Sequence, residues 1–134
     1  NPFYAKVLSV DNGMVKVESQ GNTFLATAGK INEKQNHSFS NGDEVIMFIR
    51  PESIFIKNEN NKLDNNFSAS VNTIEFEGNL KNIYLKINSE MDVRFSVPNA
   101  VDTSELSNNK EKEVELTFSS QKAIVLPKGA LAVD

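Results

Sequence analysis

Apolar residues recur at every second position along most of this chain, and that period limits what it can fold into. Residues 82–88 put Ile83, Leu85 and Ile87 on one face, residues 92–97 do the same with Val93, Phe95 and Val97, and residues 113–118 with Val114, Leu116 and Phe118. Successive side chains of an extended chain point to opposite faces, so strict alternation marks a half-buried strand. Less regular strands are expected at 4–10, 14–18, 23–27, 44–57 and 67–77. No segment carries a 3.6-residue stripe. A single helical turn is expected within 99–106, capped by Asp102 or Thr103. Asp11-Asn12-Gly13 has the residues a type I′ hairpin turn needs, and Asn41-Gly42-Asp43 marks a second turn. The chain reads as all-β, an OB-like barrel or sandwich of about ten short strands.

A polar, Asn-rich stretch at 58–66 divides the sequence near its middle and reads as a surface connection. The two halves resemble each other. Ala5-Lys6-Val7 aligns with Ala69-Ser70-Val71, 64 positions later, and residues 43–49 align with 112–118, 69 positions later. In each half an alternating strand is followed by a second apolar piece, Ile54-Phe55-Ile56 and then Ile124-Val125-Leu126. Two related β units are expected, at about 1–57 and 67–127, within one domain spanning 1–134.

Composition excludes several classes. With 134 residues the chain has enough length to bury a core without a covalent staple. It has no cysteine, which removes disulfides, thiolate metal sites and Cys nucleophiles. A net charge of -4 argues against sequence-independent nucleic-acid binding, which needs a basic surface, and the nine Phe fall mostly at core-type positions. The longest apolar run, Val45-Ile46-Met47-Phe48-Ile49, is too short to cross a bilayer as a helix, and the opening Asn1-Pro2-Phe3-Tyr4 does not read as a signal peptide.

Few residues offer chemistry. No phosphate-cradling glycine loop and no nucleophile elbow occurs. Glu75 with Glu77, and Glu111 with Glu113 and Glu115, share strand faces and read as solvated rather than as acid–base pairs. Asp92 and Arg94 share a face and are expected to pair weakly. His37, the single histidine, lies in an Asn/Ser-rich loop without other ligand types. The segment Ile49-Arg50-Pro51-Glu52-Ser53-Ile54 stands apart. Pro51 fixes φ and lacks a donor, so it breaks a ladder and bends the chain. Arg50 and Glu52 are expected on one side of that bend, paired with each other or gripping backbone. This is a structural corner or a contact for a partner subunit, and the corner reading is preferred.

Residues 42–54, with Gly42-Asp43-Glu44-Val45 followed by Ile49-Arg50-Pro51-Glu52 and an apolar strand, resemble the hallmark of the TOBE domain at the C-terminus of ABC importer ATPases. Val71-Asn72-Thr73-Ile74-Glu75-Phe76-Glu77-Gly78 resembles the family's V-x-x-x-E-[FY]-x-G segment, and residues 113–127 resemble its closing hairpin. Phe3-Tyr4-Ala5-Lys6-Val7 resembles the family's opening, with Ala5 in place of the usual glycine, and Lys110-Glu111-Lys112 departs where members carry a glycine. Arg50, Pro51, Glu52 and Gly78 are the motif residues that the resemblance singles out.

The resemblance implies an accessory, regulatory domain with no catalytic, cofactor or metal site of its own. ATP and magnesium would belong to a nucleotide-binding domain preceding this region, and the start without a methionine agrees with an excised C-terminal piece. Implied partners are that upstream domain, a second ATPase subunit in a homodimer and the transporter's membrane subunits, with no nucleic acid. The implied location is the cytoplasmic face of the cell membrane, and the implied cargo is a sugar, polyamine, iron or oxyanion. A small-anion-binding β-barrel of the molybdate-binding kind is the alternative, with Lys30, Lys34, Arg50 and Arg94 as its donors. A nucleic-acid-binding OB-fold is a third, and lacks a basic aromatic face.

Overall fold

The structure, a computed structural model, describes residues 1–104, 106 and 113–129. Among them are twelve strands: β1 (Pro2–Asp11), β2 (Met14–Ser19), β3 (Asn22–Ala28), β4 (Lys30–Asn32), β5 (Gln35–Asn36), β6 (Glu44–Phe48), β7 (Phe55–Ile56), β8 (Asn65–Glu77), β9 (Leu80–Ile87), β10 (Met91–Pro98), β11 (Glu113–Phe118) and β12 (Ile124–Pro127). Two 3-10 turns, Pro51–Ser53 and Ser120–Lys122, precede β7 and β12. The all-β expectation holds. The short β4–β5 pair was not legible, because three exposed residues opposite two give no alternation to read.

Two compact units form. The first comprises Pro2–Ile49 and Ser119–Asp134, and its strands close into a barrel in the order β1-β2-β3-β12-β6. Phe3, Val7, Val15, Val17, Phe24, Met47 and Val125 fill it, each almost wholly buried, and the rings of Phe3 and Phe24 meet edge to face at 5.7 Å. The β1–β2 turn carries Asn12 at φ 50° and Gly13 at φ 79°, the left-handed pair a type I′ turn demands.

The second unit comprises Asn1 and Arg50–Phe118, an open five-stranded sheet in the order β10-β9-β8-β11-β7. Phe67, Ile83, Leu85, Phe95, Leu116 and Phe118 form its core, with Phe67 and Phe118 edge to face at 5.9 Å. The helical turn expected at 99–106 begins as expected: the Asp102 carboxylate accepts from the Ser104 amide at 2.9 Å, and the Leu106 amide bonds to the Thr103 carbonyl. Its continuation, and the departure at 110–112, lie outside the described residues.

The two units do not follow the two halves of the sequence. Expected boundaries at about 57 and 67 give way to crossings at 49/50 and 118/119. At each crossing a 3-10 turn carries the chain away from the strand it has just completed. β7, from the first half, pairs with β11, whereas β12, from the second half, pairs with β6 and β3. The expected closing hairpin over 113–127 is therefore absent; β11 and β12 belong to different units. Likewise 44–57 is not one strand, because Pro51 opens a turn. The polar connection is shorter than expected, since Asn65 and Asn66 already pair with β11.

The repeat itself is reproduced in the cross-strand register. Ala5 faces Val45 and Phe3 faces Met47 in the barrel; Ala69 faces Val114 and Phe67 faces Leu116 in the open sheet. Ile124 faces Phe48 and Val125 faces Met47, just as Phe55 faces Thr117 and Ile56 faces Leu116. Offsets of 64 and 69 positions map each pair onto its counterpart.

One difference between the closed and the open unit lies at a register-matched position. Thr27, opposite Met14 at the start of β2, donates its amide to Ala123 and its hydroxyl to the Ser120 carbonyl, seaming β3 to the chain leading into β12. The matching position, opposite Leu80 at the start of β9, is Pro98. Proline has neither amide hydrogen nor hydroxyl, so that seam cannot form between β10 and β7.

Candidate functional site

The motif residues fall on turns. Arg50 is extended (φ -71°, ψ 145°), as a residue before proline must be, and Pro51 opens the 3-10 turn closed by the Ser53 amide on the Arg50 carbonyl at 2.9 Å. Arg50 and Glu52 are both exposed, and no ion pair joins them among the described residues. The expected pairing fails for a geometric reason. In an extended bend, residues two apart share a side, but in a 3-10 turn each residue rotates by about 120°, so they diverge. Gly78 sits at φ 58° in the β8–β9 hairpin turn, where its carbonyl accepts from the Asn99 side chain at 2.9 Å.

Acidic pairs behave as solvated faces with local partners. Glu77 accepts from the buried Asn82 amide at 2.8 Å, and Glu115 lies 3.9 Å from Lys57; Glu75 and Glu113 are exposed, and Glu111 lies outside the described residues. Asp92 does not pair with Arg94. It lies 3.5 Å from Lys86, its direct cross-strand neighbour, because facing residues approach more closely than residues two apart on one strand. His37 stacks loosely on Phe39 at 6.3 Å, and among the described residues no three His, Asp or Glu side chains converge on a metal position. No helix among them is long and apolar enough to cross a membrane.

The candidate anion donors divide between the two units. Lys30 and Lys34 belong to the β4–β5 hairpin of the barrel unit, Arg50 and Arg94 to the open unit, and all four are exposed. Asn1 is a contact the sequence did not announce. Its side-chain oxygen accepts from the Arg94 amide at 2.8 Å and its amide donates to the Arg94 carbonyl, occupying backbone groups on the open edge of β10.

Each unit carries a concavity among its described residues. That of the barrel unit, about 250 Å³, exposes Tyr4, Lys6, Glu18, Glu44 and Lys128. Lys6 lies opposite Glu18 on β2 and Glu44 on β6, and Lys128 lies 3.7 Å from Glu44 and 6.0 Å from the Tyr4 ring centroid. Charges alternate along this ladder, so it offers no net field for an anion. That of the open unit, about 530 Å³, is lined by Ile56, Lys57, Thr103, Leu106 and Glu115, with Asp102 at its rim. The hydrogen bond from the Ser104 amide holds the Asp102 carboxyl below the usual range. The most exposed aromatic is Phe76, 72 % exposed on the β8–β9 hairpin beside Leu80, itself 44 % exposed.

Closure of five strands into a barrel, beside a second five-stranded unit of matching register, defines an OB-type fold. The family model described as "TOBE domain" matches residues 47–126, and the chain belongs to that family. Among solved structures it is similar to the cytoplasmic molybdate-binding protein ModG with molybdate bound, at a TM-score of 0.68 and 15 % identity, over 93 % of this chain and 94 % of that one. This likeness extends the shared fold to nearly the whole chain. No curated protein matches it.

Proposed function

We propose that this chain is the accessory, regulatory domain of an ABC-type importer's ATP-binding subunit, serving subunit association rather than catalysis. The observation that carries this reading is membership of the TOBE family over residues that include both motif turns, Arg50-Pro51-Glu52 and Gly78. The exposure of these turns, and of Phe76 on the same hairpin as Gly78, supports a role in contacts outside the unit. The partners of this reading are an upstream nucleotide-binding domain, a second copy of the subunit and the membrane subunits at the cytoplasmic face. ATP and magnesium would be held upstream.

A second reading, a small-oxyanion-binding β-barrel, is favoured by the near-complete overlap with ModG. The ladder of Glu18, Lys6, Glu44 and Lys128, two charges of each sign, weighs against an anion site on that face of the barrel unit. Calorimetric titration of the purified chain with molybdate, sulfate and MgATP separates the two. The accessory-domain reading expects no saturable heat with any of them. Saturable heat with molybdate establishes the second reading instead.

A further inference from the structure

The crossings at 49/50 and 118/119 exchange material between the two halves of the sequence. Ile54, 1 % exposed, and β7 come from the first half but complete the open unit, where the Lys57 amide donates to the Glu115 carbonyl at 2.9 Å. Ala123 and Val125, both fully buried, and β12 come from the second half but complete the barrel. There the Thr27 amide donates to Ala123 and the Gly29 amide to the Val125 carbonyl, each at 2.8 Å. A methyl group on Gly29 would meet the Leu126 side chain, so β12 is seated against bare backbone. The covalent link between the halves is the stretch between β7 and β8. It is largely exposed, and residues 58–61 fold only on themselves, with the Asn58 amide on the Asn61 carbonyl and the reverse.

We propose that the exchanged strands, not this link, hold the halves together, so that residues 58–61 are a dispensable tether and the protein survives cleavage there as one particle. Each half carries a strand that the other half's unit needs. Completing either unit therefore requires both halves, and a severed chain keeps two independent reasons to remain assembled. The tether acts by keeping each half at high local concentration for the other during folding.

The test inserts a protease site between Asn60 and Asn61 of the full chain. The cysteine-free background also accepts one engineered pair, Phe48→Cys with Ile124→Cys, at facing positions of β6 and β12. After cleavage the two pieces are expected to elute together under native conditions and to melt in one transition. Oxidised, they are expected to remain one band on a denaturing, non-reducing gel. Separation of the native pieces, absence of the cross-link, or resistance of the folded protein to cleavage overturns the proposal. A second pair at surface positions, Lys57→Cys with Glu115→Cys, repeats the test through β7 should the first disturb folding.

Discussion

Gly29→Ala should destabilise the barrel, and the cause lies in the seating of β12. A Cβ at residue 29 would stand 2.8 Å from the Val125 carbonyl oxygen and closer still to a methyl of Leu126. The Leu126 tip can rotate away. The carbonyl cannot, because β12 is paired to β6 on one side and β3 on the other. Forcing one extra methyl into such a contact costs about 1–3 kcal/mol. For a domain of this size a loss of 1 kcal/mol lowers the melting temperature by roughly 3–5 °C, so a drop of roughly 3–15 °C is expected by calorimetry or circular dichroism. Gly129→Ala is the control, since nothing lies within 4 Å of its added Cβ. Relief of the flexible contact by Leu126→Ala should not restore the Gly29→Ala variant, because the backbone clash persists. An unchanged melting temperature for Gly29→Ala would refute the close approach of β12.

Glu52→Ala should leave the melting temperature within the small range of exposed substitutions, about 0.5 kcal/mol, because Glu52 is exposed and its attraction to the Asn1 amino group is screened by solvent; a loss of several degrees would show that the corner depends on it. Phe95→Ala, which empties a fully buried ring site in the open unit, should cost about 3–5 kcal/mol in denaturant titration, whereas Phe76→Ser should leave stability unchanged. Asp102→Ala should lower stability at neutral pH and make no difference in strong acid. The carboxyl titrates lower when folded, so its contribution is complete above the unfolded-state value of 3.8 and fades as the pH falls through the folded value. A destabilisation that persisted with the carboxyl protonated would assign the effect to something other than the Ser104 bond.

Strands with strict alternation, such as β9, β10 and β11, were legible almost to the residue, because a half-buried ladder imposes a period of two on its own sequence. The internal repeat was legible too, since matching registers need matching apolar positions. What each strand pairs with was not. The closing pieces Phe55-Ile56 and Ile124-Val125 look alike, and nothing local distinguishes a strand that stays with its own half from one that crosses. Pro98 was not singled out in the sequence, because its missing donor gains a consequence only once Thr27 is seen donating at the matching position. At the motif, Pro51 correctly announced a bend, while the assumption of an extended corner misdirected Arg50 and Glu52. Asp92 was assigned to Arg94 because adjacency along a strand is readable in sequence, whereas Lys86 becomes its neighbour only through the hairpin register. The contact between Asn1 and Arg94 spans 93 positions and left no sequence pattern.

The accessory-domain reading is tested most directly on the native gene product. An antibody raised against this chain would isolate that product for intact mass and for magnesium-dependent ATP turnover. The account predicts a polypeptide well above 14.9 kDa that hydrolyses ATP through a domain upstream of Asn1. A native polypeptide of this chain's own mass, without turnover, would contradict it.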